Sequence, residues 1–153
     1  MTAIEHLYVL HNNPFLLART LLEFFEALGD DKENSLFLAY LVLPIVLDKE
    51  NRAALTRAIS TSNLRTFIGR GERLRAMPER VAHYRSSCNA CLRYLISVNA
   101  IEFVGCSVRV MNSGVMSNHM SPHGVNNAAR VLAGFFKNHQ VPTIYRMMGV
   151  MGL

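Results

Sequence analysis

At 153 residues the chain has the size of one ordinary domain, able to bury roughly two-thirds of the surface that its unfolded form exposes. Half of it is hydrophobic, yet the longest apolar run, Leu36 to Leu47, is interrupted by Pro44 and too short for a membrane span. With no signal-peptide pattern at its start and an odd count of three cysteines, the chain is expected in a reducing cytoplasm.

Asn12-Asn13-Pro14 predicts a helix entry, because an asparagine side chain can accept from first-turn amides and proline at the first helical position loses no bond. The helix runs to about Leu28, where Gly29 can take the left-handed conformation that closes it. Its apolar residues, Phe15, Leu17, Leu21, Phe24 and Phe25 among them, exceed one stripe, so it is either central to the core or shared with a partner. Phe15, Phe24 and Phe25 are the docking candidates, while Arg19, Glu23 and Glu26 mark a narrow wet side. A polar turn, Asp30 to Asn34, leads to a helix over 35–47 that Pro44 must kink or restart. Short helices follow over 51–59 and, after the N-cap candidates Thr61-Ser62-Asn63, over 64–68.

From Pro78 to Val98, Val81, Tyr84, Cys88, Cys91, Leu95 and Val98 recur at steps of three and four, with Leu92 and Ile96 widening the stripe, and predict one long amphipathic helix. The period then changes to two. Ile101 and Phe103, then Cys106, Val108 and Val110, alternate with Glu102, Ser107 and Arg109 around a turn at Val104-Gly105, a β-hairpin with Cys106 facing inward. A polar, Met- and His-bearing loop over 112–124 precedes a last helix, 125–138, and a tail after Pro142. The expected fold is therefore a single domain, 1–153, mainly α with one hairpin (α+β). It divides into acidic apolar helices (12–50), an arginine-rich helical region with the hairpin (51–111), and a loop with a C-terminal helix (112–153). The element order is winged-helix-like.

The charge is unevenly placed. Residues 1–50 hold three basic and eight acidic side chains, residues 51–93 nine and two, and residues 94–153 four and one. The middle basic residues are all arginine, the side chain that forks onto phosphate or carboxylate. Arg57, Arg65, Arg70, Arg73, Arg75, Arg80 and Arg109 are the candidates for contact with a partner or DNA. In a winged helix the segment around Arg65 would face DNA and Arg109 on the wing would reach a phosphate. With no Asn or Gln placed to read base edges, such contact is to the backbone.

Catalysis finds no support: there is no nucleophile elbow, phosphate-cradling loop or His-Glu-x-x-His. Cys88, Cys91, Cys106, His119 and His123 suggest zinc by spacing, but the first two fall on the helix seam and Cys106 on the inward hairpin face, which reads them as core thiols. No catalytic, cofactor or metal site is predicted.

Several segments together resemble one family, the small middle component of three-component ABC systems, which includes Lamassu-type bacterial defence. They are Asn12-Asn13-Pro14 with Leu21-Leu22-Glu23-Phe24, the stretch Leu43-Pro44-Ile45-Val46-Leu47, Thr61-Ser62-Asn63-Leu64 with Phe67-Ile68, the arginine-rich lead into the long helix, and Ile144-Tyr145-Arg146 with Gly149-Val150. The resemblance implies a non-enzymatic subunit that binds an SMC-like (Rad50-like) ABC ATPase and holds an effector, often a nuclease, until foreign DNA is sensed. The cysteine-bearing helix and the loop at 111–123 depart from that pattern. The alternative reading is a stand-alone winged-helix transcription regulator, a symmetric dimer on a defined operator.

Overall fold

The computed structural model describes residues 13–69, 74–116 and 124–151, which are mainly helical with one antiparallel hairpin, as the periodicity predicts. Helix α1 (Pro14–Leu28) starts where Asn13 Oδ1 accepts from the Phe15 amide at 2.9 Å. It ends at Gly29, whose φ of +87° disfavours any side chain. Leu17, Leu21, Leu22, Phe24, Phe25 and Leu28 are all buried, so α1 is central to the core, with Phe15 left exposed at its start. The Phe24 ring meets those of Phe25 and Phe136 edge-on, with centroids 5.5 and 6.0 Å away.

A 3₁₀ turn (Ser35–Leu38) opens into α2 (Ala39–Val46), replacing the expected single helix, and α2 stops two residues after Pro44. Helix α3 (Lys49–Thr56) starts earlier than expected because Asp48 caps it, its Oδ2 accepting from the Asn51 amide at 2.9 Å. Asn63 and Thr66 form a reciprocal capping box at α4 (Leu64–Ile68), the predicted helix start. In α5 (Met77–Ser97) the predicted seam is real: Val81, Cys88, Cys91, Leu92 and Leu95 are buried. Ile96 departs from it, being 40% exposed. Asn99, at φ +59°, closes α5 in a Schellman geometry, the Ala100 amide donating to the Leu95 carbonyl at 2.9 Å.

That closure turns the chain directly into β1 (Ile101–Val104), which pairs with β2 (Ser107–Val110) so that Phe103 opposes Val108 and Val104 opposes Ser107. The turn is Gly105-Cys106, one residue later than expected, with positive φ at Gly105 as a glycine-first primed turn requires. Cys106 is consequently exposed in the turn and does not face inward. The loop after α1 holds the outer edge of β2: Ser35 Oγ accepts from the Val108 amide at 2.8 Å and Asp30 Oδ1 from the Val110 amide at 3.1 Å.

Helix α6 (Val125–Phe136) packs on α1, and a Thr20 to Asn126 hydrogen bond of 2.9 Å links the two. The expected tail after Pro142 is instead helix α7 (Val141–Met147). Pro142 lies in its first turn, where the missing N–H has no intrahelical partner to lose, so the proline starts a helix rather than ending one. The Tyr145 hydroxyl donates to the Phe37 carbonyl and fastens α7 to the 3₁₀ turn. Among the described residues no helix is long and apolar enough to cross a membrane.

Candidate interaction surface

The arginine-rich segment divides into residues used inside the fold and residues left outside it. A helix ends with carbonyls that lack intrahelical donors, and cations satisfy them well. At the end of α2, Arg80 donates from Nη2 to the Pro44 carbonyl, while Arg52 Nη1 donates to the carbonyls of Val46 and Leu47 at 3.0 and 3.3 Å. Arg80 also lies 3.7 Å from Asp48. It therefore leaves the set of contact candidates, because its guanidinium is committed to α2. Lys32 does the same for α6, donating to the carbonyls of Lys137, at 3.1 Å, and His139.

Arg57, Arg65, Arg75, Arg85 and Arg93 are exposed, and among the described residues none of the five has an ion-pair partner. Arg57 borders a shallow hollow with Ser62, Thr66 and Phe135. Arg70 and Arg73 lie outside the described residues. Arg109 pairs across the hairpin with Glu102 at 3.1 Å while its side chain stays 55% exposed. Helix α4, which bears Arg65, packs on α6, whereas β2, which bears Arg109, packs on α1 and the 3₁₀ turn. The packing gives no support to the winged-helix pairing of Arg65 with Arg109.

Of the three docking candidates, Phe24 and Phe25 are corrected: both are buried within this chain's own core. Phe15 is 55% exposed and lies edge-on to Tyr94, centroids 4.9 Å apart. Glu23 is a second correction. Rather than facing solvent it is 8% exposed, its Oε1 2.6 Å from Arg19 Nη2 and its Oε2 2.8 Å from Arg130 Nη1. Burial pushes its carboxyl upward, but the hydrogen bonds and charges of Arg19 and Arg130 outweigh that and hold it below its ordinary value. Glu26, exposed one turn on, is raised, by desolvation first and by the Glu23 charge second.

Cys88 and Cys91 sit in the core, and desolvation raises both thiols, Cys91 to about 12. Cys91 Sγ is 3.6 Å from the Pro14 carbonyl. No group of His, Cys, Asp and Glu suited to a metal occurs among the described residues. His119 and His123 lie outside them.

Sequence reasoning missed Arg130, whose partner Glu23 is remote in the chain, and the hollow of about 440 Å³ made by α7. Phe37, Val141, Pro142, Tyr145 and Val150 line this hollow, with Arg146 at its side. Its signal was present in the Ile144-Tyr145-Arg146 segment, but only a helix there brings Tyr145 against Phe37.

What this arrangement offers is charged and apolar contact surface. No curated protein and no solved structure matches the chain. One family model does, over residues 1–151: ABC-three component (ABC-3C) system Middle Component 3. With nearly its whole length matched, the chain belongs to the Middle Component 3 family of ABC-three component systems.

Proposed function

We propose that this middle component is a non-catalytic adaptor of a Lamassu-type antiphage or antiplasmid defence complex, linking an SMC-like (Rad50-like) ABC ATPase to a nuclease-type effector. The observation that carries this reading beyond family membership is the set of exposed arginines that have no ion pair among the described residues, led by Arg57, Arg65 and Arg75. Arginine held free at a surface supplies charge-assisted, forked hydrogen bonds to carboxylates of a protein or to phosphates of DNA. Contact with DNA through such residues reads the backbone and not the sequence. Arg70, Arg73 and Arg109 remain contact candidates in this proposal, and Phe15 is a separate apolar one.

The test is charge reversal. A variant with Arg57, Arg65 and Arg75 changed to Glu is expected to keep its fold and lose co-purification with the ATPase component or the assembly's DNA binding. Reversing Lys49 and Lys137 controls for added negative charge elsewhere on the chain and is expected to leave both intact. Raising salt should weaken DNA binding by the wild-type assembly more steeply than by the reversed one. A reversed protein that assembles and binds DNA like wild type would remove the arginine surface from the proposal.

A further inference from the structure

Helix α7 and the 3₁₀ turn leave an apolar hollow with a basic border. Val141 and Val150 line it as buried residues, Phe37 and Tyr145 as partly buried rings, and Met151 as a side chain 98% exposed. The Tyr145 hydroxyl already donates to the Phe37 carbonyl, so this phenol offers the hollow ring surface rather than a free donor.

Two arginines stand against this surface. Arg146, exposed in the last turn of α7, borders the hollow itself. Burial, foremost, raises the phenols of Tyr145 and Tyr40, and the charge that opposes it in both cases is Arg85, exposed on α5 beside the same rings. Neither arginine has an ion-pair partner among the described residues. From Arg80 to the end of the sequence the only acid is Glu102, which Arg109 holds at 3.1 Å, so this part of the chain supplies no spare carboxylate for either guanidinium.

We propose that the α7 hollow is a docking site for an acidic, apolar segment of another protein component of the system. Charge complementarity selects that occupant. Covering the apolar lining removes water from Arg85 and Arg146, where an unpaired guanidinium is costly and a carboxylate on the incoming segment satisfies it. Tyrosine, methionine and arginine around an apolar hollow are also the residue types enriched where proteins meet. A DNA backbone supplies anions but no side chain to cover Val141, Val150 and the two rings, so it matches the border and not the lining. A second copy of this chain matches less well. Of its exposed large apolar side chains only Phe103 and Val104 adjoin a carboxylate in sequence, and that one, Glu102, is already held by Arg109. The proposal rests on the reading of the chain as an assembling subunit.

The experiment co-expresses the full chain with the ATPase and third components of its system. Arg146→Glu and Arg85→Glu are each expected to weaken assembly about tenfold, and Lys137→Glu by less than about twofold. Glutamate in the last turn of α7 opposes the helix dipole, so urea denaturation of the isolated variants accompanies the measurement, and Arg85→Glu, in the middle of α5, is free of that effect. The second arm places the photocrosslinker benzoylphenylalanine at position 151 of the assembled complex, with the captured peptide read by mass spectrometry. A peptide of another component that carries Asp or Glu beside apolar residues is expected. Crosslinks within this chain, between two copies of it, to DNA or to nothing overturn the proposal, as does assembly undiminished by both reversals; each leaves the adaptor reading standing. Failure of the wild type to assemble with either component overturns the adaptor reading as well.

Discussion

Arg80, on α5, donates to the carbonyl of Pro44, on α2, so one of the chain's contact-type arginines is part of its own framework. The bond spans 36 residues and satisfies a carbonyl in the last turn of α2 beside those taken by Arg52. Its consequence is that arginines in the basic segment should divide sharply when mutated.

Arg80→Ala is expected to destabilise the chain by about 1.5–3 kcal/mol, the range for losing a hydrogen bond from a charged group to a buried acceptor. Arg57→Ala, Arg65→Ala and Arg75→Ala should each change stability by less than about 0.5 kcal/mol, as exposed substitutions do. Urea denaturation of the four variants measures the difference. Equal effects across the set would show that the capping assigned to Arg80 contributes nothing.

The same division explains what the sequence could and could not disclose. Asn13, Pro14 and Gly29 announce α1 because capping and chain reversal depend on the residue itself. The seam of α5 is legible for a similar reason, since periodicity needs no knowledge of the partner helix. Arg80 and Arg52 are different: their acceptors are backbone carbonyls, which every residue has, so no residue type marks them. Phe24 and Phe25 were ambiguous because a helix apolar on all sides fits both a core and an interface, and only the packing of α5 and α6 decides. Cys106 moved from the inward face to the turn through a shift of one residue, to which side-chain direction in a strand is most sensitive.

Phe24→Ala should accordingly act on stability and not selectively on assembly. The ring is fully buried against Phe25 and Phe136, and such truncations cost about 3–5 kcal/mol. Phe15→Ala, at a ring 55% exposed, should cost far less and yet weaken binding if Phe15 anchors a partner. Thermal unfolding together with co-purification separates the two, and a harmless Phe24→Ala would contradict the assigned core.

Thiol chemistry gives a second view of the core. Cys106 is exposed, whereas Cys88 and Cys91 are buried and desolvation holds them in the unreactive thiol form. In the native protein a maleimide at neutral pH is expected to label Cys106 alone, with the other two reacting only after denaturation. Mass spectrometry of peptides counts the labels. Rapid native labelling of Cys91 would mean that α5 is not packed on α1 as described.

Asn51 presents a different kind of test. Its side chain is fully buried, and neither Oδ1 nor Nδ2 has a hydrogen-bond partner among the described residues. An unsatisfied buried amide costs about 1–3 kcal/mol, and Asn51→Leu, with the same branching at Cγ, removes that cost while leaving the backbone amide on Asp48. The variant is expected to be more stable by about 1 kcal/mol, with a further small gain from helix propensity. Destabilisation in both Asn51→Leu and the smaller Asn51→Ala would show that the amide is satisfied in solution.

Glu23 supplies the pH dependence. Its folded-state carboxyl lies below its unfolded value because Arg19 and Arg130 together outweigh the opposing effect of burial. A depressed carboxyl contributes stability that is complete above the unfolded value, about 4.3, and is lost as pH falls through the folded value below it. Glu26 runs the opposite way: its raised carboxyl takes up a proton more readily in the fold, so acidification relieves a cost rather than removing a gain. Glu23→Gln removes the paired charge and, with it, one of the causes that raise Glu26. The variant should be less stable than wild type near pH 7, and the two should converge as pH falls below about 4. Stability measured by urea denaturation at several pH values follows this difference directly. A gap between the proteins that stayed constant from neutral to acid pH would mean that Glu23 acts through packing and not through its ion pairs with Arg19 and Arg130.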